Sequence, residues 1–212
     1  MGQFLNKDGK VVVEKLIAAI QENKTYLSDI DGLIGDGDHG INMNKGFTMC
    51  QERIEGKEMD LSEALKVLSR VLMMEIGGSM GPLYGTLFGK MAKRCKGVEV
   101  IDGALFGGML SDAVGGISEL GSAKVGDKTL MDVLIPANEA YQKALVEGKD
   151  FGACLDAMKV AAEAGWLSTK DLVAKIGRAS RLGERSRGVL DAGATSCNLI
   201  LKTMADAMQA LM

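Results

Sequence analysis

From Val12 onward, apolar residues recur at helical spacing in one segment after another, each closing at glycine or opening at aspartate. That pattern builds amphipathic helices and leaves little sequence for a sheet. Val12, Leu16, Ala19 and Ile20 mark a first helix over about 8–24, followed by a loop at roughly 28–40 and a second helix at about 41–56 that stops near Gly56. Asp60-Leu61-Ser62-Glu63 reads as an N-cap with an acid at N3. It opens a third helix over about 61–76, with Leu65, Leu68, Val71 and Leu72 along one side. After the turn Gly77-Gly78-Ser79-Met80-Gly81-Pro82, a fourth helix runs to about Cys95. Asp102 caps a fifth helix (about 103–120), and Asp127 a sixth (about 128–147) that Pro136 should kink. Asp150 caps a seventh over about 151–176, with a break expected near Gly165. A polar loop, 177–193, leads to a last helix at about 194–211. Val98-Glu99-Val100 has strand character but no convincing partner elsewhere in the chain.

Composition agrees with helices: aromatics are only 4% of residues, and prolines number 2. With 212 residues and no linker or repeat, the expectation is one all-α domain of about eight helices spanning 1–212. A net charge of −3 gives no electrostatic reason to expect nucleic acid or an anionic membrane as partner. No apolar run approaches the ~18 residues of a membrane span, and the first residues lack the pattern of a signal peptide. Cys50, Cys95, Cys154 and Cys197 form no C-x-x-C pair, which argues against a zinc or redox motif. They read as reduced thiols of a cytoplasmic protein, with Cys95 the most exposed because Lys93, Arg94 and Lys96 surround it.

The chemistry concentrates between the helices. Ser28 to Gly40 contains Asp31 and the run Gly35-Asp36-Gly37-Asp38-His39-Gly40. Its glycines formally match G-x-G-x-x-G, but that fingerprint follows a strand and sets pyrophosphate against bare amides. Here Asp36 and Asp38 would repel a phosphate unless cations sat between. Carboxylates on a glycine-rich loop suit magnesium, and glycine permits the positive-φ turns that aim them inward. An EF-hand is excluded, because the twelfth position from Asp31 is Asn42. The same residues also suit a plain solvated turn. His39, the one histidine, fits a phosphoryl acceptor, a nucleotide contact or a hydrogen-bonding neighbour of the loop. Asn42 and Asn44 lie where a helix start would offer donors to phosphate.

Three further loops qualify. Gly77 to Gly85 pairs unhindered backbone with Ser79 ahead of a helix, as a phosphate loop or a tight turn does. Gly121 to Thr129 nearly spells a P-loop, but Asp127 precedes Lys128-Thr129 and no strand leads in. Gly177 to Gly188 holds four arginines (Arg178, Arg181, Arg185, Arg187) and one acid, suited to phosphate or simply to solvent.

Together these loops resemble those of the nucleotide-binding L subunit of dihydroxyacetone kinase. The matching segments are Asp31 with Gly35 to Gly40 and Asn42; Gly77-Gly78 with Gly81 to Gly85; Gly126 to Thr129; and Gly177 to Ser180 with Gly183 to Ser186, then Asp191 and Gly193-Ala194. They stand in the family's order across nearly the whole chain. The resemblance implies an antiparallel barrel of eight helices with the nucleotide at one end. It implies that Asp31, Asp36 and Asp38 hold two magnesium ions against the phosphates of ADP or ATP, and with Arg178 form the catalytic set. His39, Gly40, Ile41, Asn42, Ser79, Met80 and Gly121 would line the nucleotide, with Arg178, Asp191, Ala192 and Gly193 on its other side. The sugar would sit on a separate K subunit, with a phosphotransferase-system carrier, the M subunit, rephosphorylating bound ADP. The absence of a K domain after Met212 favours that separate-subunit arrangement. Met80, Arg181, Val189 and Ala192 depart from the family's serine, aromatic, histidine and proline. They leave room for an ATP-dependent subunit serving another short keto-sugar such as erythrulose. A nucleotide-loaded partner of a transcription regulator is a further alternative. A related module that serves fatty-acid carriers usually lacks the ending Asp38-His39-Gly40.

Overall fold

The structure, a computed structural model, describes residues 2–212. Its helices are α1 (Lys10–Glu22), α2 (Lys24–Ile34), α3 (His39–Ile54), α4 (Leu61–Glu75), α5 (Met80–Cys95), α6 (Gly103–Leu120), α7 (Met131–Val146), α8 (Phe151–Ser168) and α9 (Ala192–Gln209). Short 3-10 segments cover Asn6–Asp8 and Arg178–Ser186, and strands β1 (Gln3–Leu5) and β2 (Val100–Asp102) form a small antiparallel pair. The fold is all-α, as the periodicity predicts. Following α1, α3, α4, α5, α6, α7, α8 and α9, each helix packs on the next, and α9 packs back on α1. This ring of neighbours is compatible with a barrel. α2 stands outside the ring order and packs on α3, α9 and the 3-10 segment Arg178–Ser186.

The ring encloses the apolar faces. Leu65, Leu68, Val71 and Leu72, grouped by their spacing alone, are all buried, and Phe47 meets Phe88 edge-on at 6.1 Å. One end of the ring gathers the starts of α1, α4, α6 and α8. There Asn6 donates to the carbonyls of Cys95 (3.1 Å) and Val98 (2.8 Å), and Gln209 donates to Gly152. Aspartates cap three of these starts: Asp60 accepts from the Glu63 amide, Asp102 from Leu105 and Asp150 from Ala153. Glu63 returns a bond to the Asp60 amide at 3.1 Å, which completes the capping box. Asp60→Ala is therefore expected to lower stability by about 1 kcal/mol, read as a shift in the urea midpoint at constant slope.

Several expectations are corrected. Residues 28–34 are not loop but the body of α2, so only 35–38 link it to α3. The strand near Val98 does find a partner: β2 pairs with β1 in the register Phe4↔Ile101. Cys95 is fully buried rather than exposed, because Asn6 and the strand pair cover the end of α5. Burial pushes its thiol up to about 12. α8 ends at Ser168 and runs unbroken through Gly165. α7 spans Met131–Val146 with Pro136 inside it. Proline offers no amide to the Asp132 carbonyl. That carbonyl instead lies against Gly165, where a Cβ would sit 2.1 Å away, so this glycine marks a close helix approach.

Candidate functional site

The opposite end of the ring carries the candidate chemistry. Asp31 stands on the last turn of α2, and Asp36 and Asp38 stand on the link to α3. One carboxylate oxygen from each lies within 4.8 Å of the others. The glycines make this convergence possible, mostly through space rather than through φ. A Cβ on Gly35 would meet Asp31 Oδ1 at 2.3 Å, and one on Gly40 would meet the Lys24 carbonyl at 2.0 Å. Only Gly37 of the three adopts positive φ, at 76°. The His39 amide donates to Asp31 Oδ2 at 3.3 Å, which fixes that carboxylate at the start of α3. Arg178 forms an ion pair with Asp36 and so brings the 3-10 segment onto the cluster.

Helix ends supply the complementary charge. Asp38 stands at the N-cap of α3 and Ser79 at that of α5, and neither side chain makes a capping bond. This contrasts with the aspartate-capped starts of α4, α6 and α8. First-turn amides left free in this way, with the positive end of the helix dipole, are suited to phosphate oxygens. The amides of Gly40 and Ile41 belong to the first turn of α3, and Asn42 follows on the same turn. Met80 and Gly81 open α5, where a Cβ on Gly81 would meet the carbonyls of Ile76 (2.4 Å) and Leu72 (2.6 Å). Gly121 ends α6 and is exposed.

His39 points inward. Its Nε2 meets Ser196 Oγ at 2.8 Å, and Ser196 Oγ meets the Tyr84 hydroxyl at 2.6 Å. Tyr84 also lies 3.1 Å from the Gly193 carbonyl, to which it donates. The starts of α3, α5 and α9 are thereby tied together beneath the cluster. Burial lowers the His39 pKa to about 4, against a smaller opposing pull from Asp31. The ring is thus neutral near pH 7, and the fold favours that neutral form. The stability this contributes is fully present above the unfolded value near 6.5 and is lost as pH falls toward 4. In metal-free buffer, the stability advantage of wild type over His39→Gln is expected to shrink by about 3 kcal/mol between pH 7 and pH 4. Denaturant titrations at both pH values measure it; a pH-independent difference would contradict the buried neutral ring.

Asp191 caps α9, accepting from the Ala194 amide at 2.7 Å, with Ala192 and Gly193 in the first turn. Its burial pushes the carboxyl up to about 7. Asp127, expected to cap a helix, instead accepts from the Lys124 amide and pairs with Lys175 at 3.3 Å, because α7 begins only at Met131. Asp132 holds that loop by accepting from Gly126 (2.6 Å) and Thr129 (2.7 Å). Sequence reasoning missed Asp132 and Ser196 and gave Tyr84, inside the Gly81 to Gly85 match, no role; all three are polar groups embedded in helices whose spacing signals only core. A recess of about 460 Å³ between α5 and α6 lies away from the aspartates. Its Lys90 pairs with Glu119 and its Arg94 with Asp112.

Residues 33–206 match the DAK2 domain family. The chain is 40% identical over 187 residues to the ADP-binding subunit DhaL of PEP-dependent dihydroxyacetone kinase 1 from Listeria innocua, covering 87% of this chain and 88% of that one. It is 37% identical over 190 residues to the ADP-binding subunit of the PTS-dependent dihydroxyacetone kinase of Lactococcus lactis, covering 87% and 88%. The dihydroxyacetone kinase from C. freundii, solved in complex with AMP-PNP and Mg2+, shares the fold with a TM-score of 0.70 at 22% identity. That match covers 95% of this chain and 34% of the other. The chain belongs to the DAK2 domain family.

Proposed function

We propose that this chain is the nucleotide-binding subunit of a dihydroxyacetone kinase, holding ADP or ATP through magnesium and passing a phosphoryl group to a short keto-sugar on a separate K subunit. The observation that carries this reading is the convergence of Asp31, Asp36 and Asp38 within 4.8 Å, beside two helix starts without side-chain caps and Arg178. Three carboxylates without nitrogen or sulfur donors suit a hard cation, and their charge makes a bare phosphate unwelcome. The names of the relatives, ADP-binding subunits of PEP- and PTS-dependent kinases, agree with it.

The chain's own residues divide the work. Asp31, Asp36 and Asp38 hold two magnesium ions. Amides at Gly40 and Ile41, the Asn42 side chain and the loop at Ser79-Met80 receive phosphate oxygens. Gly121 and residues Asp191, Ala192 and Gly193 border the nucleotide. Arg178 exchanges its Asp36 partner for the phosphates and stabilises charge as the phosphoryl group leaves. Bound magnesium supplies charge neutralisation and polarisation of the phosphoryl oxygens. No covalent step on this chain is required, so positioning and electrostatics carry the reaction.

Sugar and donor belong to partners in this proposal: a K subunit, and a phosphorylated M carrier that rephosphorylates ADP in place. The setting is the cytoplasm. Among the described residues, no helix is long and apolar enough to cross a membrane. The test combines the purified chain with a K subunit and either dihydroxyacetone or erythrulose, supplying ATP in one arm and a phosphorylated carrier in the other. Turnover of dihydroxyacetone with the carrier and ADP-loaded protein is expected. No phosphorylated sugar in any arm contradicts the proposal.

A further inference from the structure

Lys128 is an unusual residue for a loop. Its side chain is buried, with the residue 1% exposed, and its backbone adopts φ 62°, which costs a non-glycine residue roughly 1 kcal/mol. Its ammonium lies within hydrogen-bond distance of four main-chain carbonyls: Thr169 (2.8 Å), Leu172 (3.2 Å), Ser186 (2.6 Å) and Val189 (2.5 Å). A buried cation is tolerated only where oxygen atoms replace its water, and this cage does so. The acceptors are not scattered. Thr169 and Leu172 stand where the chain leaves α8, and Ser186 and Val189 where it returns toward Asp191. Between these two stems lies the segment that carries Arg178 onto Asp36.

Neighbouring bonds close the same stems. Gly188 donates to the Lys170 carbonyl at 2.7 Å, Ala174 to Ser186 Oγ at 2.9 Å, and Asp191 to Thr169 Oγ1 at 3.1 Å. The Lys175 amide donates to the Asp127 carbonyl, beside Lys128 in sequence. All of these involve single backbone or hydroxyl groups. Arg187, on the return stem itself, adds one charged bond to the Asp171 carbonyl; Lys128 comes from outside the segment and places a single ammonium against carbonyls of both stems, and charge-assisted bonds are the stronger kind.

We propose that Lys128 is a positioning residue that clamps both stems of the 169–190 segment and so holds Arg178 at the phosphate end of the site. This inference rests on the nucleotide reading above. It explains the strained backbone: the left-handed turn aims a long side chain into the crossing of the two stems. Among the described residues, Lys128 bonds only these four carbonyls and none of Asp31, Asp36 or Asp38, so its influence on the site runs through Arg178.

The experiment measures Mg·ADP affinity by calorimetry for wild type, Lys128→Met, Arg178→Ala and the double variant, with hydrogen exchange on the nucleotide-free proteins. Lys128→Met is expected to weaken ADP about tenfold and to speed exchange across 170–190, while α4 amides keep their protection. In the Arg178→Ala background it should add almost nothing, because the residue it positions is already gone. An equal loss in both backgrounds, or unchanged exchange across 170–190, overturns the inference and leaves the nucleotide reading intact. Wild-type protein that binds no Mg·ADP overturns both. If Lys128→Met does not fold by circular dichroism, Lys128→Arg takes its place. That variant keeps the charge but overfills the cage, and the same non-additivity decides.

Discussion

Asp36→Asn and Asp38→Asn are each expected to yield folded protein that no longer carries ADP and magnesium through gel filtration, with Mg·ADP affinity lowered by about 100-fold or more. The effect is electrostatic. Asp31, Asp36 and Asp38 crowd three carboxylate oxygens within 4.8 Å, an arrangement that costs repulsion unless cations lie among them. Removing one charge takes away a ligand and much of the field that holds the cation. The same substitution relieves repulsion in the metal-free state, so its thermal stability in chelator should be unchanged or slightly higher. That opposite sign separates loss of a metal ligand from damage to the fold. Asp38→Asn is the cleaner variant, since Asp36 also anchors Arg178. Variants that keep full nucleotide and metal content would remove the cluster from the mechanism.

The second large effect is steric. Gly40→Ala places a methyl group 2.0 Å from the Lys24 carbonyl and 2.7 Å from both the amide and the hydroxyl of Ser28. These are mostly atoms of α2 backbone, which cannot swing aside as a flexible side-chain tip can. The helices must separate, at a cost of about 1–3 kcal/mol. Separation also moves Asp31, carried on α2, away from Asp38 at the head of α3, so Mg·ADP affinity should fall at least about tenfold. Gly37→Ala makes the contrast. Its nearest neighbours stand 3.7 Å or more away, and only its φ of 76° opposes a side chain. It should cost about 1 kcal/mol, from backbone strain alone. Chemical denaturation and calorimetry on the two variants check the ranking, and a Gly37→Ala loss exceeding that of Gly40→Ala would contradict it.

Much of this architecture was legible before any coordinates. The apolar spacing of Leu65, Leu68, Val71 and Leu72 gave a buried helix face, and Asp60, Asp102 and Asp150 gave helix starts, because both signals are local. What failed was tertiary. Ser28, Asp29, Asp31 and Gly32 look like turn formers, yet they are helical because α2 packs closely on α3 through Gly40. β1 and β2 are three residues each and lie far apart in sequence, so no local pattern links them. At the site, the aspartates were found through their types and spacing. The inward turn of His39 was not, because its partner Ser196 sits in an apolar helix. Lys128 was noticed only within a broken P-loop and the family-like run Gly126 to Thr129, and nothing local reveals that its acceptors come from residues 41 to 61 positions away.

Paramagnetic resonance tests directly whether the aspartates bind nucleotide through metal. Mn2+ replaces magnesium, and ADP carries 17O on its β-phosphate. The Mn2+ lines of the wild-type complex are expected to broaden with the labelled nucleotide, and Asp38→Asn is expected to abolish the bound signal. Lines unaffected by the label, or a bound signal that survives Asp38→Asn, would contradict it.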